Sequence, residues 1–107
     1  MGIAKKAYGL CAHFPTEEKY GLQGQIRRSA VSIPSNIAEG SQRTSDKEFA
    51  HFILIAKGSL AELETQFLLA QSFEYLKSSV DDFLREIDEL QRMLYNFHKR
   101  LKSQGSA

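Results

Sequence analysis

Apolar residues recur along most of this chain in alternating steps of three and four, which is the spacing of one face of an α-helix. Alternating runs of the strand type are scarce, and Pro15 and Pro34 are the two prolines. The pattern predicts four helices, near residues 3–13, 17–39, 45–71 and 79–102. Because short connections favour antiparallel neighbours, we predict an all-α protein, an antiparallel up-down-up-down four-helix bundle. Residues 1–107 form its single domain, with a polar C-terminal tail from about residue 103.

The third helix has the clearest pattern. Thr44 or Ser45 can cap it, and Ser45 and Glu48 have the spacing of a capping box. Its core-facing stripe consists of Phe49, Ile53, Ala56, Leu60, Leu63, Phe67 and Ala70. A second, weaker stripe consists of Leu54, Ile55, Gly58, Ala61, Thr65 and Leu68. Monomers avoid leaving such a patch in water, so the second stripe predicts a closed homo-oligomer that buries it.

The fourth and first helices differ in how clearly they are marked. In the fourth, Ser78 or Ser79 can cap the start, and Asp81 and Asp82 suit the positive end of the helix dipole. Its apolar stripe consists of Phe83, Ile87, Leu90, Leu94, Phe97 and Leu101. The first helix is short, and an isolated helix of its length is marginal in water. We therefore expect that packing holds it in place, with Cys11 acting as a small apolar residue.

The second helix contains a proline. Thr16 can cap its start, and its stripe consists of Leu22, Ile26, Ala30, Ile33 and Ile37. Pro34 removes one intrahelical hydrogen bond, so a kink is predicted there. The alternative is two helices that are broken near Ser32. Asn36 and Glu39 can hydrogen-bond across the bend or cap the end, and Gly40 is predicted to end the helix in the left-handed C-cap conformation.

Charge and composition identify no reaction. The chain has fourteen Lys and Arg residues and thirteen Asp and Glu residues, so its net charge is close to zero. No apolar run in the sequence is long enough to cross a bilayer. The single cysteine and the absence of an evident signal peptide lead us to expect a cytoplasmic protein. Residues 1–57 carry eight basic and five acidic side chains, a net charge of +3, and the remainder carries −2. This asymmetry is a weak nucleic-acid signal in one chain, and an oligomer would strengthen it.

Catalytic and metal-binding patterns are incomplete. Glu48 and His51 have the Glu-x-x-His spacing of di-iron bundle proteins, but the sequence lacks the second such pair that these proteins need. Cys11 and His13 supply two donor atoms, which is too few for a tetrahedral zinc site. Nucleophile elbows and glycine-rich phosphate loops are missing from the sequence. We therefore expect neither an enzyme nor a cofactor or metal site.

A long segment of the chain carries a distinctive motif. It runs from Glu18 to Gly40 and contains Ser-Ile-Pro-Ser-Asn-Ile-Ala-Glu-Gly at 32–40. It continues with Arg43, with Lys-Glu-Phe at 47–49, and with Ala-Lys-Gly-Ser-Leu-Ala-Glu-Leu-Glu-Thr-Gln at 56–66. Over roughly residues 14–101, the chain closely resembles the four-helix bundle proteins encoded in intervening sequences of 23S ribosomal RNA genes.

The resemblance implies a bacterial, cytoplasmic bundle that assembles as a homopentameric barrel. It also implies kinship with the accessory variability proteins of diversity-generating retroelements, which bind nucleic acid and a reverse transcriptase. Family members usually begin with a longer first helix that carries a tryptophan, whereas this chain has no tryptophan and starts about a turn or more later. Either its start is truncated or this member has lost that segment.

Two functional hypotheses follow. The first is a non-catalytic oligomer that binds RNA or DNA through phosphate contacts with low sequence specificity, using a shared basic surface. Its candidate nucleic-acid-binding residues are Arg27, Arg28, Arg43 and Lys47. An architectural role is assigned to Pro34, Asn36, Glu39 and Gly40, and to Gly58, which with Ser59 is expected to permit close helix contact. The second hypothesis is an oligomeric scaffold that docks a protein partner and binds no nucleic acid.

Overall fold

The computed structural model describes residues 2–18 and 21–105, and helices account for most of them. The helices are α1 (Gly2–Cys11), α2 (Leu22–Ser41), α3 (Asp46–Ser72) and α4 (Asp81–Gly105), with a single 3₁₀ turn at Thr16–Glu18. Strands are absent from these two described ranges. The predicted all-α class with four helices is therefore confirmed.

Contacts between consecutive helices give their relative directions. Phe49 at the start of α3 meets Phe97 near the end of α4, and Phe67 near the end of α3 meets Phe83 at the start of α4. The same reversal holds for the other neighbours, as shown by Gly40 with Phe52, Ser32 with Ser59, Cys11 with Gln23, and Tyr8 with Arg27. Each helix thus runs antiparallel to the next, in the order up, down, up, down.

The core is built from the predicted stripes. Every member of the core-facing stripe of α3 is buried except Phe49, which is half-buried and packs against the core. Cys11 is also fully buried, as expected for a small apolar residue. The second stripe of α3 is exposed in the single chain, where 51% of Leu54 and 48% of Leu68 remain accessible. The two faces predicted for this helix are therefore real, and one of them is uncovered within the chain.

The start of α2 differs from the prediction. Thr16 does not cap this helix, which begins at Leu22 with Gly21 at the N-cap position. The carboxylate of Glu18 takes the capping role instead, because its Oε2 accepts a hydrogen bond from the backbone N–H of Leu22 at 3.1 Å. The other oxygen, Oε1, accepts from the hydroxyl of Tyr75 at 3.3 Å. Glu18 thereby joins the start of α2 to the connection between α3 and α4.

The ends of the other helices need smaller corrections. Ser45 caps α3 as predicted, with its Oγ accepting from the N–H of Glu48 at 3.1 Å. Ser79 lies before α4 and accepts from the N–H of Asp81 at 3.2 Å. The helix α1 ends at Cys11, two residues earlier than predicted, and α4 continues to Gly105. Residues 103–105, which the sequence assigned to a polar tail from about residue 103, continue the last helix.

Pro34 lies within an unbroken helix. The alternative of two helices broken near Ser32 is wrong, since α2 runs from Leu22 to Ser41. Asn36 bonds across the proline, as predicted: its Nδ2 donates to the carbonyl of Ser32 at 2.8 Å and to the Ser32 hydroxyl at 2.9 Å. These bonds tie the residues on either side of the missing N–H to each other. The kink itself stays a prediction.

Gly40 has a different role from the one predicted. Described glycines all have φ outside the left-handed region, and α2 continues past Gly40 to Ser41. The glycine is needed because α3 lies so close: an added Cβ would be 2.7 Å from Cβ of Phe52 and 2.8 Å from Cδ1 of Phe49. At Gly58, no described residue of the chain lies within 4 Å of an added Cβ, so the close helix contact expected there is not made within the chain and stays a prediction.

We predict that Gly40→Ala lowers the free energy of unfolding by about 1–3 kcal/mol, the usual cost of overpacking a close contact. This loss should appear although alanine favours helices over glycine by about 1 kcal/mol. Urea denaturation measures the difference. Gly9→Ala in α1 is the matched control, because its added methyl group meets nothing within 4 Å and should be neutral or stabilising. Shifts of both midpoints in the same direction would contradict the role assigned to Gly40.

The end of α3 is formed by a residue that the pattern did not indicate. Glu74 has φ = 60°, which makes it the single non-glycine residue of the described ranges with positive φ. Its N–H donates to the carbonyl of Gln71 at 3.1 Å, and the N–H of Tyr75 donates to that of Ala70 at 3.0 Å. This pair of bonds is the Schellman motif, in which glycine is the usual left-handed residue.

Glu74→Gly is expected to raise the free energy of unfolding by about 0.5–1 kcal/mol. A side chain in the left-handed region costs about 1–2 kcal/mol, and the extra freedom of glycine in the unfolded chain offsets part of the gain. Thermal or urea unfolding measures this. Glu74→Ala removes the carboxylate but keeps the Cβ, so it should show no gain. An equal gain in both variants would assign the effect to charge rather than to φ.

Candidate nucleic-acid interface

The four candidate basic residues do not form one site within the chain. Arg27 and Arg28 lie in the first half of α2, whereas Arg43 and Lys47 lie on either side of the turn between α2 and α3. The thirteen residue-to-residue steps from Arg28 to Ser41 rise about 20 Å along the helix axis. The structure therefore pairs Arg43 with Lys47 at one end of the bundle and leaves the other two arginines far from them.

Arg27 is half-buried between α1 and α2. Its guanidinium lies over the ring of Tyr8, 5.3 Å from the centroid, and its Nε is buried without a hydrogen-bond partner among the described residues. Burial raises the pKa of the neighbouring Cys11 thiol, and the charge of Arg27 lowers it in part. These contacts place Arg27 in the packing of α1 against α2.

Arg43 and Lys47 are exposed and share a surface pocket with Ser45, Glu48 and His51. The guanidinium of Arg43 lies 4.8 Å from the centroid of the Phe52 ring and forms an ion pair with Glu39. At the end of α2, Glu39 therefore forms an ion pair with Arg43. Because an aromatic face and a carboxylate both restrict the guanidinium, Arg43 is held at the surface in a defined orientation.

Three further basic side chains, which are not among the four candidates predicted from the sequence, lie at the same end. Lys99, Arg100 and Lys102 are exposed on the last turns of α4. The contact of Phe97 with Phe49, whose ring centroids are 5.1 Å apart, fixes these turns beside the start of α3. We call the surface formed by Arg43, Lys47, Lys99, Arg100 and Lys102 the basic end. In the sequence, this surface is indicated by the basic residues at the end of α4, because antiparallel packing brings that end beside the start of α3.

The two ends of the bundle differ in charge. The basic end carries five basic side chains against three acidic ones, Glu39, Asp46 and Glu48. The opposite end, formed by the 3₁₀ turn, the α3–α4 connection and the first turn of α4, has one described lysine, Lys77, and five acidic residues: Glu17, Glu18, Glu74, Asp81 and Asp82. Near the basic end, desolvation and then the charges of Lys57 and Lys102 lower the pKa of His98.

Arg28 belongs to a second feature, which we call the polar cleft. It is a cleft of 340 Å³ between α2 and α3, and its lining residues are Gln25, Arg28, Ser29, Ser32, Ser59, Glu62 and Gln66. Ser32 and Ser59 join the two helices there through a 2.7 Å bond between their hydroxyls. Ser59 is thus the member of the Gly58–Ser59 pair that makes the predicted helix contact.

Within residues 2–18 and 21–105, groups of three or more His, Cys, Asp or Glu side chains that could hold a metal ion are absent. His51 is exposed and packs edge-on against Phe52. In the same ranges, none of the helices has the length and apolar character that crossing a membrane requires.

Comparison with known proteins bears on the motif of α2 and α3. The model of the family described as 23S rRNA-intervening sequence protein matches residues 1–96, which include α1 to α3 and most of α4. A search of curated proteins gives no significant match. Since the family model covers nearly the whole chain, including the motif and the turn that carries Arg43 and Lys47, the protein belongs to the 23S rRNA-intervening sequence protein family.

Proposed function

We propose that this protein is a non-catalytic, oligomeric helical bundle of the bacterial cytoplasm that binds RNA or DNA with low sequence specificity. The observation that carries the proposal is the basic end, where the α2–α3 turn and the last turns of α4 have five exposed cationic side chains at one end of the bundle. Phosphate contacts of this kind supply affinity without reading bases. The opposite end is acidic and would repel phosphates, so a strand would be directed to the basic end.

The individual side chains suit this role to different degrees. Arg43 is restricted by Phe52 and Glu39, so it loses little freedom when it contacts a phosphate. Lys99 and Arg100 are exposed on the last turns of α4, beside the buried core residue Leu101. Arg27 is left out of the proposed surface, because burying it against Tyr8 removes it from the reach of a strand. Arg28 borders the polar cleft and could contact a strand that runs along α2.

Oligomerisation is supported by the second stripe of α3. Leu54, Ile55 and Leu68 are exposed on this stripe, and Gly58 offers a place where another helix backbone could approach without meeting a side chain. A repeated interface around a rotation axis would bury the stripe in every copy. The number of copies, five, comes from the resemblance to the family.

A second candidate function is the oligomeric protein-binding scaffold, and one observation favours it. An apolar groove of 730 Å³ lies between α2 and α4 beyond the start of α1, lined by Ile37, Leu90, Met93, Leu94 and Phe97 among others. Met93 is 65% exposed there. Grooves of this type accept the apolar face of a partner helix. The two functions differ in one respect that can be measured, which is salt-dependent binding of nucleic acid.

The first prediction of this proposal concerns the basic end. Lys99→Gln with Arg100→Gln is expected to weaken binding of labelled single-stranded RNA and to reduce the slope of log K against log salt by about 1.4, since each single-strand phosphate contact contributes about 0.7. Lys77→Gln with Arg85→Gln removes the same charge near the acidic end and is the matched control. Fluorescence anisotropy over a salt series measures both.

The outcomes separate the two functions. Selective loss in the Lys99/Arg100 variant supports the basic end as the binding surface. Equal loss in both variants would contradict the assigned surface and leave net charge as the cause. If the unaltered protein binds no RNA or DNA at near-physiological salt, nucleic-acid binding is wrong and the scaffold is favoured.

The second prediction concerns assembly. Leu54→Asp is expected to convert the oligomer into monomers at micromolar concentration, because it places a charge in a surface proposed to be buried. Phe73→Asp is the control: Phe73 is 55% exposed but lies after the end of α3, outside the second stripe. Analytical ultracentrifugation measures the masses. A monomeric unaltered protein, or an oligomer that survives Leu54→Asp, would contradict the proposed interface.

A further inference from the structure

The polar cleft contains an unpaired polar group in a buried position. Gln66 is 7% exposed, and its Oε1 has no hydrogen-bond partner among the described residues. Ser29 and Ser59, which also line the cleft, are 7% and 8% exposed. An unpaired buried acceptor costs free energy that a solvated or bonded one does not. A group that supplies an N–H or O–H donor in the cleft would remove this cost.

The walls of the cleft are held in place without a ligand. The bond between the hydroxyls of Ser32 and Ser59 joins α2 to α3, and the Ser32 hydroxyl also accepts from Asn36 at 2.9 Å. Gln66 lines the cleft, and the broad terminal torsion of glutamine lets its amide group rotate to meet a bound donor. The volume of the polar cleft, 340 Å³, lies within the range of small-ligand clefts, about 300–1,000 Å³.

The remaining groups define the chemistry of the ligand. The carboxylate of Glu62 and the unpaired Oε1 of Gln66 are acceptors, so they suit an amino group, and both are on the α3 side of the cleft. Arg28 on the α2 side suits a phosphate. A nucleotide with an exocyclic amino group carries both features, since adenine, cytosine and guanine present such a donor and uracil does not.

We propose that the polar cleft holds one base of a bound single strand and selects a base that has an exocyclic amino group. The amine donates to Oε1 of Gln66 and to the carboxylate of Glu62, while Arg28 contacts the adjoining phosphate. The inference rests on the proposed function, because it needs a nucleic-acid strand to reach α2 and α3. It adds a base-binding site on α2 and α3, away from the basic end, to a protein whose basic end contacts phosphates alone.

The test compares short single-stranded RNA homopolymers of adenosine, cytidine and uridine by fluorescence anisotropy. In the unaltered protein, adenosine and cytidine RNAs should bind more tightly than uridine RNA. Gln66→Leu should reduce that preference by about fivefold to tenfold, the effect of one hydrogen bond, and should raise the thermal midpoint because it removes the unpaired acceptor. Gln66→Glu keeps an acceptor, so the preference should remain although all three RNAs bind more weakly.

Two further variants complete the design. Arg28→Gln should weaken all three RNAs alike and lower the salt slope by about 0.7, as loss of one phosphate contact does. Gln71→Leu is the matched control for Gln66→Leu, because Gln71 is an exposed glutamine on the same helix. It should leave the preference among the three RNAs unchanged.

The failure of this inference differs from the failure of the proposed function. If the RNAs bind and Gln66→Leu leaves the preference unchanged, water satisfies the acceptor and the base-binding role is wrong, while phosphate binding stands. If Gln66→Leu instead changes the oligomer mass, a second copy of the chain fills the cleft, and the inference is again overturned. If no RNA binds to the unaltered protein, both proposals fail.

Discussion

The close approach of α2 to α3 is the constraint on which the rest of the structure depends. At one end of this pair, Gly40 lets the last turn of α2 lie against Phe49 and Phe52. Nearer the middle of the two helices, the 2.7 Å hydrogen bond between the hydroxyls of Ser32 and Ser59 holds them together. Because the two contacts are separated along the axis, they set the register of α2 on α3 as well as its distance. That register determines where the turn with Arg43 and Lys47 lies. It also forms the two walls of the polar cleft.

The separation of charge follows from the topology together with ordinary helix electrostatics. Acidic residues suit the start of a helix and basic residues suit its end, and α4 obeys both preferences, with Asp81 and Asp82 at one end and Lys102 in the last turn. In an antiparallel bundle, the end of α4 must lie beside the start of α3, and the Phe49–Phe97 contact shows that it does. A pattern that stabilises single helices therefore also makes one end of the bundle cationic.

The sequence predicted the helices well, because their apolar spacing reports directly on which face is buried. Ile53, Leu60 and Phe67 are fully buried as their stripe indicates. The start of α2 was missed because Thr16 has the residue type of a cap, whereas the cap is a carboxylate that reaches Leu22 from four residues before it. Gly40 was misread because a glycine near a helix end has two uses, and only the contact with α3 distinguishes them.

The candidate site was predicted in part, for reasons that are equally physical. Four basic residues were predicted to share one surface, and the turn between α2 and α3 brings two of them, Arg43 and Lys47, together. Lys99 was missed as a site residue because it lies 52 positions after Lys47, and only the tertiary fold joins the two regions. Arg27 and Arg28 were treated alike although neighbours on a helix point in directions about 100° apart. One is consequently packed against Tyr8, and the other borders the polar cleft.

The direction of the helices decides what an oligomer would do with these features. In a ring with a single rotation axis, every copy lies at the same height, so equivalent groups fall on a circle around that axis. With the second stripe of α3 as the contact and the bundles standing along that axis, the basic ends of all copies would face the same side of the ring, and the acidic ends the other. Phosphate contacts on that side would add with each copy, and affinity rises steeply with their number. An arrangement related by additional two-fold axes would instead divide the basic ends between two opposite sides. The axial polarity of one bundle would thus have its full electrostatic effect in a cyclic assembly.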